Sequence, residues 1–294
     1  GDRTMKLGFI GFGEVGFEMA SGLRGEGLEG ILAYDVMCDH PQFGALLAER
    51  VAKAGVTLVD VPEKMLQCVD VAIVAVPGDK ALETAQGLKS KLTAGMLYVD
   101  VSASSPDVKK SISATIQDAG VTFVDGAMLG SLPLFQHKVP TLVSGTGSDR
   151  FLELMQPYHM KLEKVSDVPG EATAIKLIRS IFMKGLPALF VEVLEAASRM
   201  KVDHLVLKSL AATMNACPFE ETFNRLVTGS AVHAARRAHE MINVVEMLNS
   251  LNIRPTMSQA TFERLQWLAE KNIKEKFQGK TPAGWQQVVD AWQE

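Results

Sequence analysis

Two groups of residues in this 294-residue chain have types and spacing suited to chemistry. The first is Gly11-Phe12-Gly13-Glu14-Val15-Gly16, which follows one apolar run and opens a helical one, together with Asp35 at the end of the next apolar run. In that setting the first glycine permits a tight turn, the second lets the backbone approach a pyrophosphate, and the third packs helix on strand. The helix N-terminus turns unpaired N–H groups toward the phosphates. An acid about 20 residues on is placed to bind the adenosine ribose hydroxyls. These residues predict dinucleotide binding. The plainer alternatives are a glycine turn without a ligand and an aspartate that caps a turn. The second group is Lys176, Ser180 and Lys184, spaced along one ridge of a long helical stretch.

Asp35 favours NAD over NADP. A carboxylate about 4 Å from a 2′-phosphate costs roughly 4 kcal/mol per pair of unit charges at an effective dielectric near 20. None of the next four residues, Val36, Met37, Cys38 and Asp39, is an arginine that would offset it. Val76-Pro77-Gly78 ends the fourth apolar run, where Val76 and Pro77 either meet the cofactor or reverse the chain. Asp100-Val101-Ser102-Ala103-Ser104-Ser105-Pro106 ends the fifth. Pro106 suits a first helical position, with Ser105 or Ser104 as its cap. Ser102 is then left to face the nicotinamide or the substrate.

The elements that position these groups follow from the apolar pattern. Short apolar runs at 6–10, 31–34, 56–59, 71–76, 96–101, 121–124 and 140–144 alternate with helical stretches at 14–24, 42–53, 79–91, 106–118 and 148–155. Alternation of this kind predicts a parallel, doubly wound Rossmann-type sheet wrapped by helices. After 166–170 the pattern carries only helices: a long one over 171–200 in which Pro187 predicts a kink near Lys184, then 205–215, 219–227, 231–251, 258–278 and a last one capped by Thr281 with Pro282 at its first position. The expected organisation is a dinucleotide-binding domain over 1–168 and an all-α substrate and dimerisation domain over 169–294, joined by the long helix.

Composition narrows the function classes. Thirty basic against thirty-four acidic side chains give a net charge of −4, with no run of Lys or Arg longer than two, so no nucleic acid and no anionic membrane is expected as partner. No apolar run approaches the roughly 20 residues of a membrane span, and Leu7 to Ile10 is too short for a signal peptide. Three widely spaced cysteines, Cys38, Cys68 and Cys217, form no metal or disulfide pattern, so no metal site and a reducing, cytoplasmic setting are expected. The Gly1-Asp2-Arg3-Thr4 lead reads in part as a remnant of expression.

The order of motifs resembles the β-hydroxyacid dehydrogenases, the family of 3-hydroxyisobutyrate and 6-phosphogluconate dehydrogenases. The fingerprint, the D-x-S-x-x-x-P segment at Asp100, Ser102 and Pro106, and the G-x-x-x-x-x-K spacing of Gly170 and Lys176 carry the resemblance. Departures are specific. Leu129 stands in place of the family's substrate-binding serine, Ser131 in place of a glycine, Ser180 in place of an asparagine, and Met183 where 6-phosphogluconate dehydrogenase has its glutamate acid. Together with Phe182-Met183-Lys184-Gly185 and Arg237-Ala238-His239-Glu240-Met241, these place the chain in a divergent branch with a distinct helical C-terminal domain.

The resemblance implies that Lys176 is the general acid–base. Hydride transfer from an alcohol needs a group to take the hydroxyl proton, and a partly desolvated lysine beside a positive nicotinamide has its pKa lowered toward that task. Without the resemblance, an exposed helix lysine in a salt bridge is the better reading. Ser180 is expected to replace the orienting asparagine. Lys184, Arg237 and His239 are candidates to hold an anionic substrate, and Leu129, Gly130 and Ser131 line its loop. A solvated charged helix face, with an Arg236–Glu240 pair, explains the region around Arg237 equally well. The expected activity is NAD-dependent hydride transfer on a small hydroxy acid or its carbonyl acid, by a homodimer formed through the helical domain. The alternatives are a decarboxylating sugar-acid dehydrogenase, an imine reductase and a non-catalytic NAD sensor.

Overall fold

A computed structural model describes residues 3–294; Gly1 and Asp2 of the N-terminal lead lie outside the described residues. Contacts divide the chain into two units, one running to Ser180 and the other beginning at Ile181.

The first unit alternates strand and helix. Its elements are β1 (Leu7–Ile10), α1 (Glu14–Gly25), β2 (Leu32–Tyr34), α2 (Phe43–Ala54), β3 (Thr57–Leu58), α3 (Glu63–Leu66), β4 (Val71–Val74) and α4 (Ala81–Leu88). There follow β5 (Leu97–Asp100), α5 (Pro106–Gln117), β6 (Thr122–Met128), α6 (Leu132–Phe135), β7 (Thr141–Ser144), α7 (Ser148–Met155) and β8 (Leu162–Ser166). The eight strands form one sheet in the order β3-β2-β1-β4-β5-β6-β7-β8. The reversal of order between β1 and β4 is the switch point at which doubly wound sheets open a crevice for ligands. Strands β1, β4 and β5 are buried on both faces, as the apolar runs of β1 and β4 require, while β5 ends in the buried Asp100. Apolar side chains pack on the two faces in separate clusters, one around Phe9, Phe12, Leu23 and Phe151 and the other around Met65, Tyr98, Ile112 and Ile116.

Two features go beyond the seven runs expected to form a parallel sheet. β7 pairs antiparallel with β6, Met128 opposite Thr141. The connection between them holds only the single turn α6 and a 3₁₀ turn, too little for the helical crossover that parallel pairing needs. β8 carries no strong apolar signal, because Leu162–Ser166 is a half-exposed edge strand in which polar residues intervene.

The long helix α8 (Glu171–Arg199) continues through Pro187, and the division between units falls within it. The second unit is helical: α9 (Asp203–Met214), α10 (Phe219–Val232), α11 (Ala234–Ser250), α12 (Thr256–Ala269), α13 (Ile273–Lys276) and α14 (Trp285–Gln293). Tertiary capping shifts its boundaries. The buried Glu192 carboxylate accepts from Met257 N at 2.9 Å and Ser258 N at 2.8 Å, which caps α12 from outside. Asn272 takes a left-handed conformation (φ 54°) and splits the expected 258–278 helix. The last helix starts at Trp285 rather than behind Thr281 and Pro282, because Asn224 Oδ1 on α10 accepts from Trp285 N at 2.8 Å. Among the described residues no helix is long and apolar enough to cross a membrane.

Candidate active site

Each glycine of the fingerprint loop answers a different demand. Gly11 has φ +85°, and a Cβ there would lie 2.4 Å from the Ala75 carbonyl oxygen. Its N–H donates to Tyr34 O at 2.8 Å, which ties the loop to the end of β2. A Cβ on Gly16 would meet the Phe12 ring at 2.9 Å and Gly11 O at 3.0 Å, so helix and loop touch there. Gly13 differs: a Cβ would meet nothing within 4 Å. It is the N-cap of α1 and provides no side-chain cap. The helix start is therefore bare of side chains on that side, and its N–H groups and positive dipole end can approach a diphosphate. These residues fit a dinucleotide. Phe12 is wholly buried against Phe9, Val15 packs on the same core, and Glu14 is exposed in the first turn.

Asp35 immediately follows β2. Its Oδ2 accepts from Phe12 N at 2.8 Å and its Oδ1 from Met37 N at 2.9 Å. It lines a cavity with Phe12, Gly13, Phe43, Leu46 and Arg50. Arg50 escaped the sequence reading because it is distant along the chain. Its signal is helical spacing, since Phe43, Leu46, Leu47 and Arg50 share one face of α2. Arg50 Nη1 donates to Phe12 O at 3.3 Å.

A second cavity of about 270 Å³ is walled by Ser102, Ser104, Gly126, Ala127, Thr173 and Lys176. The loop after β4 abuts this wall, because a Cβ on Gly78 would lie 2.1 Å from Ala103 O. Val76 packs against Gly11, while Pro77 is exposed. Ser105 caps α5, with Val108 N donating to its hydroxyl at 3.2 Å. Ser102 lines the cavity instead. Its hydroxyl donates to Asp100 Oδ1 at 2.5 Å and lies 3.0 Å from the Ser104 hydroxyl.

Beneath the wall lies a charged group that the sequence reading missed. Asp100 and Asp125 are register neighbours on β5 and β6. Lys109 Nζ lies 2.7 Å from Asp100 Oδ1 and 3.2 Å from Asp125 Oδ1, all three side chains fully buried. The signal was present in α5, where Lys109 occupies the same inward face as Ile112 and Ile116. Asp125 also receives Thr173 N at 3.0 Å and Thr173 Oγ1 at 2.7 Å. A carboxylate therefore pins the N-terminus of α8, where the helix dipole favours it. Lys176 stands one turn beyond Thr173 on the same helix, half-buried. Ser180 Oγ donates to Lys176 O at 3.0 Å, so it braces the backbone of that turn.

β6 runs on to Met128, so Gly126 and Ala127 form the wall; Leu129, Gly130 and Ser131 lie in the turn beyond, where Leu129 N donates to Pro140 O at 2.7 Å. In the second unit, Lys184 and His239 are exposed. Arg237 is half-buried and donates to Ser230 Oγ at 2.8 Å. The expected Arg236–Glu240 pair forms at 2.9 Å on an exposed face.

Residues 6–158 match the family described as the NAD binding domain of 6-phosphogluconate dehydrogenase, and residues 197–268 match a domain of unknown function, DUF1932. An uncharacterized 28.5 kDa protein of Methanothermus fervidus is 27% identical over 87% of this chain and 96% of its own length. The 2-(hydroxymethyl)glutarate dehydrogenase of Eubacterium barkeri is 25% identical over 62% of this chain and 60% of its own. Human mitochondrial 3-hydroxyisobutyrate dehydrogenase is 23% identical over 74% of this chain and 65% of its own. A conserved protein whose solved structure is described as similar to 3-hydroxyacid dehydrogenases is 30% identical, with TM-score 0.62, over 94% of this chain and 100% of that one. Imine reductases from Myxococcus stipitatus, solved with NAD+ as a V8 variant and with NADP+, share the fold at 14% identity with TM-scores of 0.75 and 0.70; the alignments cover 98% of both chains in the first case, and 90% of this chain and 94% of the other in the second. With its switch-point crevice and fingerprint loop, the chain belongs to the family of the 6-phosphogluconate dehydrogenase NAD-binding domain and is a hydroxyacid-dehydrogenase-like oxidoreductase.

Proposed function

We propose that the chain transfers a hydride between nicotinamide and a small hydroxy acid or its carbonyl acid, with NAD as the preferred dinucleotide and Lys176 as general acid–base. One observation carries this reading: Lys176 and Ser102 line one cavity, and the same buried carboxylate–lysine group bonds Ser102 and, through Thr173, the helical turn that precedes Lys176. A bound nicotinamide supplies the hydride acceptor or donor. Lys176 Nζ takes the hydroxyl proton during oxidation and returns it during reduction. Ser102 has committed its own proton to Asp100, so it meets the substrate as an acceptor and orients a hydroxyl group. Ser180 steadies Lys176 through its backbone carbonyl.

Leu129, Gly130 and Ser131 are proposed as the substrate loop, and Lys184, Arg237 and His239 as candidate contacts for an anionic group. The exposed apolar side chains of the helical unit, among them Ile181, Leu205 and Leu207, support a homodimer through that unit. A second reading, reduction of an imine, is supported by the same acceptor, since an iminium N–H can donate to Ser102.

The test is NADH formation across hydroxy acids and sugar acids, and NADH consumption with imines, in wild type and Lys176→Ala. The reading expects turnover on a hydroxy acid that falls about 10²- to 10⁴-fold in the variant. Turnover with imines alone favours the second reading. Turnover that survives Lys176→Ala removes the lysine from the chemistry.

A further inference from the structure

Asp35 is not the only charge in the adenosine-side cavity. Arg50 lines it too, on the α2 face that also presents Phe43 and Leu46, two large apolar side chains about half exposed. Asp35 is held by backbone N–H groups on both oxygens, and among the described residues no ion pair joins it to Arg50. The guanidinium bonds instead to the carbonyl of Phe12, at 3.3 Å. That bond uses one of its five N–H donors. One cavity wall therefore holds a fixed carboxylate, a guanidinium not neutralised by it, and an apolar shelf suited to a purine.

The two charges have opposite consequences for the cofactor. The carboxylate accepts hydrogen bonds from a ribose diol and repels a 2′-phosphate. A guanidinium offers the planar fork that pairs with phosphate oxygens. We propose that Arg50 is a specificity-determining residue that gives this cavity affinity for a 2′-phosphate. The chain then binds NADP as well as NAD, and Asp35 alone holds the balance toward NAD. This role rests on dinucleotide binding at the fingerprint loop, as the reading above does. It also alters the expectation drawn from the four residues after Asp35: the offsetting arginine comes from the next helix.

The experiment is equilibrium binding of NADH and NADPH, followed by nucleotide fluorescence, to wild type, Asp35→Ser, Arg50→Gln and the double variant, with thermal melts to verify folding. Wild type is expected to bind both, NADH more tightly. Asp35→Ser should raise the affinity ratio of NADPH to NADH by about tenfold or more, and Arg50→Gln should lower it about tenfold. In the double variant most of the gain from Asp35→Ser should vanish. Arg50→Lys, which keeps the charge without the fork, should fall between wild type and Arg50→Gln. If Arg50→Gln leaves the ratio unchanged in both the wild-type and the Asp35→Ser background, or weakens both nucleotides alike, Arg50 has no role in specificity. A wild-type chain that binds neither nucleotide overturns the dinucleotide reading itself, and the role of Arg50 falls with it.

Discussion

Lys109 and Asp100 form an ion pair at 2.7 Å that solvent does not reach. The pair does not stand alone, because Asp125 lies beside it and makes the group two carboxylates to one ammonium. Buried charges of this kind are costly unless matched. Lys109→Met should therefore destabilise the protein by about 3–5 kcal/mol, since it leaves two carboxylates side by side in the interior. Urea denaturation measures it. A loss under about 1 kcal/mol would mean that the carboxylates find other partners or protons at little cost.

The link from this group to α8 runs through Thr173. Thr173→Val removes the 2.7 Å bond to Asp125 and keeps the shape of the side chain. The expected loss is about 1–3 kcal/mol, the cost of leaving a buried acceptor short of a donor. If the bond also positions Lys176, turnover in Thr173→Val should fall in kcat more than it rises in KM. A stability loss with unchanged kinetics would confine Thr173 to the fold.

Gly11 and Gly13 separate folding from binding. Gly11→Ala forces a side chain into a left-handed backbone 2.4 Å from Ala75 O, so the protein should lose more than about 1 kcal/mol of stability. Gly13→Ala enters open space and should change stability by less than about 1 kcal/mol. Its new methyl group lies where the diphosphate approaches, so NADH affinity should drop about tenfold or more. Thermal melts and NADH titration read the two effects. Equal NADH affinity in Gly13→Ala and wild type would place the phosphates elsewhere.

His137 predicts an acid-sensitive fold. Its ring is buried, and burial pushes its pKa below the usual 6.5. Nε2 donates to Tyr158 O at 2.9 Å, while buried Nδ1 has no partner among the described residues and sits over Gly22. Glu26, 3.5 Å from Nε2, and Lys138 are the neighbouring charges, and their opposing effects are smaller than that of burial. The neutral ring is favoured in the fold, so the unfolded chain binds the proton more readily. Stability should then be complete above pH 6.5 and fall as pH drops from there toward the lowered folded value. Glu26, held below the usual carboxylate value of 4.5 by Lys138 and His159, titrates below the interval between pH 5.5 and 7.5. Urea midpoints at pH 7.5 and 5.5 should differ in wild type, and less so in His137→Gln. An equal pH dependence in both would assign it to other groups.

Along the chain alone, the legible parts were those whose physics is local or periodic. Runs such as Val71–Val74 must be strands buried on both faces, and the glycines of 11–16 must form a turn against a helix start, because few other conformations satisfy those residues. Ser105 with Pro106 marked the start of α5, and Asp35 at the end of β2 was legible from its spacing. Much of the site was therefore readable as residues: Gly11, Gly13, Asp35, Ser102 and Lys176 all line or build its two cavities.

Whatever crosses between elements depends on how they pack. β8 is a strand because β7 offers it an edge to pair with, not because its own residues demand one. α14 begins at Trp285 because Asn224 caps it from another helix. Lys109 reads in sequence as one charged residue on an amphipathic helix; the register of β5 with β6 places two aspartates within its reach and makes it the counter-ion of the site. Arg50 meets the fingerprint loop only once α2 packs beside α1. A residue's type and its neighbours along the chain fix the conformations it favours. Which charge it faces depends on contacts between distant segments, and those exist only when the apolar faces of sheet and helices have closed on one another.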